Sequence, residues 1–382
     1  MQLHSSMLVN SLLKAKMKKA VTGVAMILLR STFATFLAST SRTFHNPWTA
    51  STMTGSLTRT GRFASTRVSP ATEEKVMSDA LYRVRQVNYM PEEVRSSLLD
   101  FTVDGRVVGK VRPKVAKILC SEGDSHPVFS LEPKSQSERS LHLTLTAEAG
   151  STAEQRTQNV NRIMSSLRDQ GFVEGWRAED YPVRENYYGE TLFGVERAAA
   201  SLLGIMEYGV HINGIVTDDN GNPKMWMARR AADKSKYPGM LDHIVAGGQP
   251  VGLSLIENVI KECKEEAGIP EELTRRGIKS AGAISYSTYS RKNDCVTRCV
   301  LFCYDLHLPA NFHPEPVDGE VQEFFLWDVT QIKSSFAPNY PDPIKPNCYN
   351  VIIDYLMRLG YFDPDTKGYL DVLRELRSGD VY

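Results

Sequence analysis

Residues 247–269 constrain this chain more than any other stretch. The segment opens on Gly247-Gly248-Gln249-Pro250, reaches Ser254 through Val251-Gly252-Leu253, and closes on Ala267-Gly268-Ile269. The glycine pair and Pro250 predict a turn, Ser254 predicts a helix N-cap, and Gly268 predicts the residue that ends the helix. A helix of about three turns fits between them. Leu255, Val259 and Cys263 recur at i, i+4 and i+8, which gives that helix one apolar stripe to bury.

Its other face carries the chemistry. Glu262, Glu265 and Glu266 stand at i, i+3 and i+4, so three carboxylates leave one side of the helix within about a turn. Like charges that close destabilise one another. A hard cation such as Mg²⁺ (or Mn²⁺) takes oxygen ligands and is commonly shared between protein carboxylates and substrate phosphates, which makes the trio a candidate metal site. A solvated acidic helix face is the plain alternative, and the glutamates alone do not choose between them.

The wider frame does choose. Gly247, Lys261-Glu262, Glu265-Glu266, Gly268 and Ile269 together resemble the Nudix box, a glycine loop followed by Arg-Glu-aliphatic-x-Glu-Glu-x-Gly-aliphatic. Two framework positions depart: Leu253 stands where that pattern has Glu, and Lys261 stands where it has Arg. Glu257 lies four residues ahead of Lys261, and this helical pair is expected to take over part of the lost orienting role. The stretch Trp226-Met227-Ala228-Arg229-Arg230, then Lys234 and Tyr237-Pro238-Gly239-Met240-Leu241-Asp242, is similar to the Nudix hydrolases related to thiamine pyrophosphokinase, which have organellar members in plants.

That resemblance implies an α/β fold, a Nudix α/β/α sandwich with a mixed sheet, preceded by a small α+β N-terminal domain. It also implies a metal-dependent diphosphate hydrolase. The characteristic substrates are thiamine diphosphate or its damaged oxo and oxy forms, cleaved to the monophosphate and phosphate. An oxidised nucleoside diphosphate of the 8-oxo-dGDP type, a nucleotide sugar or ADP-ribose is the alternative substrate. A noncatalytic ligand-binding module is the alternative from another class.

Roles follow from charge. Cations on Glu262, Glu265 and Glu266 neutralise a diphosphate so that water can attack in line. A general base must sit near that water, and Glu262 or Glu265 on the helix, or Glu320 or Glu323 on a later loop, are its candidates. Arg229, Arg230 and Lys234 are candidate phosphate ligands, and Tyr286 and Tyr289 candidate stacking faces for a heterocycle. Cys295, Cys299 and Cys303 are spaced about 13 Å apart along an apparent strand, too far to share one zinc. His211 and His243 have no partner at ligand spacing.

The charge balance hides an address. Lys and Arg number 45 against 45 Asp and Glu, so no global basic excess favours nucleic acid. Residues 1–72, however, hold nine Lys/Arg and no Asp or Glu, which leaves residues 73–382 with 36 basic and 45 acidic side chains. An acid-free, Ser-rich leader with arginines predicts an organelle transit peptide, for plastid or mitochondrion, or a cytosolic protein if translation starts at Met53 or Met77. The apolar run at residues 21–37 is broken by Arg30 and hydroxyl residues, so no membrane span is expected. Alternation and turn signals then place an α+β accessory domain over residues 78–200 and the hydrolase domain over 201–382.

Overall fold

The structure, a computed structural model, describes residues 70–122, 126–134 and 140–381. The expected leader lies outside them but for the first residues of a helix. That helix, α1 (Pro70–Val87), buries Met77, Ala80 and Val84 at i, i+3 and i+7, one stripe of a 3.6-residue period. Asp104-Gly105, a dipeptide typical of hairpin turns, joins β1 (Leu99–Val103) to β2 (Arg106–Val111). Both residues take positive φ (51° and 77°), the geometry that two-residue hairpins favour.

Next come α2 (Pro113–Ser121), β3 (Phe129–Pro133), β4 (Leu141–Leu145) and α3 (Ala153–Asp169). The strands align as β2-β1-β4-β3. Thr152 and Gln155 close a capping box on α3, which buries Val160, Ile163, Met164 and Leu167 with Phe101, Phe129 and Leu143. A two-stranded ribbon, β5 (Asp180–Val183) and β6 (Phe193–Glu196), joins the same core. α1 does not: its stripe packs on the C-terminal helices instead.

The second half is built on β7 (Met206–Thr217), β8 (Pro223–Arg230), β9 (Leu241–His243), β10 (Val245–Gly248), β11 (Ile278–Ser290), β12 (Cys295–His307) and β13 (Val321–Asp328). The order is β11-β12-β7-β8-β13, with β10 on β7 and β9 on β8. β12 runs parallel to β7 and its other neighbour antiparallel, so the sheet is mixed. Side chains alternate along β7 with period two. Val210, Ile212 and Val216 meet Val259, Cys263 and Ala267 of α4 (Leu255–Ala267) on one face. Ile215 meets Ile352 and Ile353 of α5 (Pro346–Arg358) on the other. This is the expected α/β/α sandwich, and α4 holds the three glutamates. The last helix, α6 (Tyr369–Glu375), lies beside α1, where Arg85 and Glu375 pair through two hydrogen bonds of 2.9 and 2.8 Å. Among the described residues no helix is long and apolar enough to cross a membrane.

Candidate active site

α4 is fixed at both ends by the residues the sequence singled out. Ser254 is its N-cap, and Gly268 ends it in the left-handed region at φ 63°, where a β-carbon would be strained. One expectation fails at the start. Glu257 does not reach Lys261: its carboxylate accepts from the Ser254 N–H at 2.9 Å and the Ser254 hydroxyl at 2.6 Å, closing a capping box. The first-turn N–H groups of a helix have no internal partner, so a glutamate at the third position is drawn back to them. Lys261 Nζ turns the other way, 3.1 Å from Glu262 and 2.9 Å from Glu265. Although burial works against its charge, those pairs push the Lys261 ammonium up to about 12.

Gly247 and Gly248 are not the predicted turn but the end of β10, paired with Val210 and Gly209, and the helix is tied to them by a residue that sequence reasoning missed. Fully buried Asn258 donates to the Gly248 carbonyl at 2.8 Å and to Gln249 Oε1 at 3.2 Å. Gln249 in turn donates to the Leu253 carbonyl at 2.6 Å. An Asn on the buried side of a helix is a poor helix former, and that mismatch was the available signal.

This tether brings the carboxylates together. A β-carbon on Gly247 would collide with the Glu262 carboxyl, so glycine is what lets that group lie against β10. Glu266 accepts the Ala246 N–H at 3.0 Å and is 9% exposed. Burial pushes the Glu262 carboxyl up, against the opposing charge of Lys261. It pushes Glu266 well above the usual carboxylate range, and the neighbouring Glu262 adds to the rise. Neighbouring like charges, one buried and one half-buried, are costly unless a cation joins them, and an all-oxygen set with the more exposed Glu265 suits a hard divalent ion.

Of the two later glutamates, Glu320 is the one within electrostatic reach of Glu266. It pairs with Lys234. Burial works against its charge, but Lys234, with Arg177 and Arg197 behind it, holds its carboxyl below the ordinary range. Glu323 is exposed and lies 3.5 Å from Arg229.

The expected phosphate ligands are otherwise engaged. Arg229 binds Asp342 through two hydrogen bonds (2.8 and 2.7 Å) and also the Gly239 carbonyl. Arg230 binds Asp242 at 2.8 Å and the carbonyls of Lys236 and Tyr237. Tyr286 is buried beneath the C-terminal segment at Gly379, and Tyr289 donates to Asp294 at 2.8 Å beside Arg112. The structure thus gathers Glu262, Glu265, Glu266, Glu320, Lys234, Gly247 and Gly248, and leaves Arg229, Arg230, Tyr286 and Tyr289 in structural contacts.

His211 and His243 are not partnerless, as their spacing predicted. β7, β9 and α5 bring them to 3.0 Å between Nδ1 atoms, with Cys348 completing three ligand-type atoms within 4.8 Å of one another. Asp242 beside them accepts from Arg230, from Lys345 at 3.0 Å and from the Cys348 thiol. Two cations already at that spot disfavour a third, so the cluster is better suited to a neutral hydrogen-bonded core. Burial drives both imidazoles down, His243 to about 4. Cys295, Cys299 and Cys303 are free, buried thiols.

Known sequences repeat this arrangement. Residues 207–347 match the NUDIX domain, and residues 79–207 match a domain of unknown function, DUF4743. The chain is 40% identical over 293 residues to Nudix hydrolase 24, chloroplastic, of Arabidopsis thaliana, covering 75% of each protein. It is 39% identical over 290 residues to Nudix hydrolase 20, chloroplastic, of the same plant, again 75% of each. Among solved structures, the NUDIX domain of Shewanella oneidensis NrtR complexed with ADP ribose aligns at a TM-score of 0.31 and 14% identity, over 40% of this chain and 87% of that one. With its NUDIX domain at residues 207–347 and 40% identity over three-quarters of a curated Nudix hydrolase, the chain belongs to the Nudix hydrolase family and is a pyrophosphohydrolase.

Proposed function

We propose that this enzyme hydrolyses the phosphorus anhydride of a small organic diphosphate, with Mg²⁺ or Mn²⁺ held by Glu262, Glu265 and Glu266. The observation that carries the reading is the enclosure of Glu262 and Glu266, one half-buried and one buried, against β10, where Gly247 leaves room for the Glu262 carboxyl and the Ala246 N–H holds Glu266. A divalent ion bound there supplies charge neutralisation of the diphosphate oxygens and a more acidic water. The chain's own parts hold the rest: Asn258 fixes the loop, Lys261 orients Glu262 and Glu265, and Glu320 is the base that accepts the water's proton.

The substrate we infer is thiamine diphosphate or its oxo and oxy forms, released as monophosphate and phosphate. Support comes from the resemblance over residues 226–247 to the thiamine pyrophosphokinase-related members. Phosphate release from a panel of diphosphates, with Mg²⁺ and with chelator, tests it. Release that survives Glu265→Gln or chelator removes the metal mechanism. Preference for 8-oxo-dGDP, a nucleotide sugar or ADP-ribose reassigns the substrate, and no turnover at all leaves a binding module. The two relatives carry the word chloroplastic in their names, and residues 1–72 have a leader's composition, so we place the protein in the plastid. A fluorescent fusion of residues 1–72 that stays cytosolic or enters mitochondria overturns that.

A further inference from the structure

The accessory segment between α3 and β7 reaches the catalytic face. Buried Glu196 accepts the backbone N–H of Arg177 at 2.9 Å and of Ala198 at 3.0 Å, and its own N–H is held by Asn161 at 2.8 Å. One carboxylate thus fixes Arg177 and Arg197 on a rigid platform, and the Arg197 N–H closes it on the Glu179 carbonyl at 2.9 Å. From this platform three contacts touch the hydrolase half. Tyr181, with the Arg197 guanidinium 5.5 Å from its ring centre, lies against Gly248 so closely that a β-carbon there would overlap its hydroxyl. Arg177 donates to Ser235 Oγ at 3.0 Å, in the loop that carries Lys234. Gly175 fits against the same serine.

These contacts place charge opposite the glutamates. Arg197 pairs with Glu179 at 2.9 Å, and Glu179 lies within electrostatic reach of Glu262. Arg177 and Arg197 lie within reach of Glu320, which pairs with Lys234 and is in reach of Glu266. Helix, loop and accessory platform therefore adjoin one another through Tyr181 at Gly248, Arg177 at Ser235 and Lys234 at Glu320. Their cations differ in availability. Lys234 and Arg197 each hold a carboxylate, whereas the only hydrogen bond of the Arg177 side chain among the described residues goes to a neutral hydroxyl. A guanidinium offers five N–H donors in a fork that matches phosphate oxygens.

We propose that the accessory domain completes the active site, with Arg177 as a diphosphate-binding residue that faces the α4 carboxylates and Arg197 as the neighbouring charge that orients Glu179. The inference rests on the reading of the substrate as a diphosphate. It gives the domain at residues 79–207 a role: the site is incomplete without it.

Binding and turnover separate the two ideas. The full chain is titrated with magnesium imidodiphosphate, which has the diphosphate charge without its cleavable oxygen bridge, and assayed on the diphosphate that it hydrolyses best. Arg177→Gln is expected to weaken imidodiphosphate binding and raise KM at least tenfold with little change in kcat or melting temperature. Arg177→Lys should restore part of the affinity. Arg156→Gln, the same charge loss at a site bonded to Asp104, should change neither. Affinity and KM within twofold of the parent for Arg177→Gln overturn the proposal, as does an equal loss in Arg156→Gln. Binding that Arg177→Gln weakens, in a protein that hydrolyses no diphosphate, sinks the hydrolase reading and keeps Arg177. A parent chain that does not bind imidodiphosphate sinks both.

Discussion

A buried carboxylate beside another is a stability defect that a metal repairs, and Glu266 makes the case measurable. Glu266→Gln removes the buried member of two neighbouring carboxylates, so without metal its melting temperature should equal or exceed the parent's, while turnover falls by roughly a hundredfold or more. A lower metal-free melting temperature in thermal scans with chelator would contradict this account. Asn258→Ala leaves the Gly248 carbonyl without its side-chain partner and should cost about 1–3 kcal/mol in urea unfolding. Residue identity was legible in the sequence where it acts locally. Ser254, Gly268 and the three glutamates are read from spacing alone, because a helix cap and a helix face depend on neighbours within a turn. Arg229 was not, since the carboxylate that engages it, Asp342, stands 113 positions away. Arg177 was overlooked for the same reason: nothing near it in sequence says that Ser235 and Glu320 lie opposite.

At the scale of elements, the α4 frame was predicted with its ends in place, and β7, β8, β11, β12 and β13 were legible as strands, whereas β9 and β10 were not, because Gly247-Gly248 before Pro250 reads as a turn. β11 runs to Ser290 and β12 to His307, beyond the apolar stretches at residues 278–284 and 296–304, because cross-strand pairing continues through polar residues. Where β7, β9 and α5 meet, His211 and His243 are held uncharged. The unfolded chain protonates both near pH 6.5, so their contribution is complete above that value and is lost as the pH falls toward 4. The melting temperature should therefore decline between pH 6.5 and 4 more steeply in the parent than in His243→Asn. Parallel declines would assign the acid sensitivity elsewhere. Gly268→Ala should destabilise the end of α4 by about 1 kcal/mol, read by chemical unfolding, because at φ 63° a residue with a β-carbon is strained and glycine is not.

For the whole molecule, the distribution of charge and the accessory domain matter together. Residues 73–382 are net acidic, yet the proposed substrate is an anion, so affinity must come from a few placed cations and a metal rather than from the general field. Saturating Mg²⁺ should raise the melting temperature of the parent and not of Glu262→Gln, since a ligand stabilises only the state that binds it. Met77 is fully buried in α1, so a protein begun there would lack about the first two turns of the helix, and deletion of residues 70–87 should yield insoluble protein. α1 also packs beside α6, with Arg85 bound to Glu375 across 290 positions. During synthesis the first described helix has its packing surface only once α5 and then α6, far along the chain, have left the ribosome. Until those helices have left the ribosome, the nascent chain keeps the apolar stripe of Met77, Ala80 and Val84 available to a chaperone.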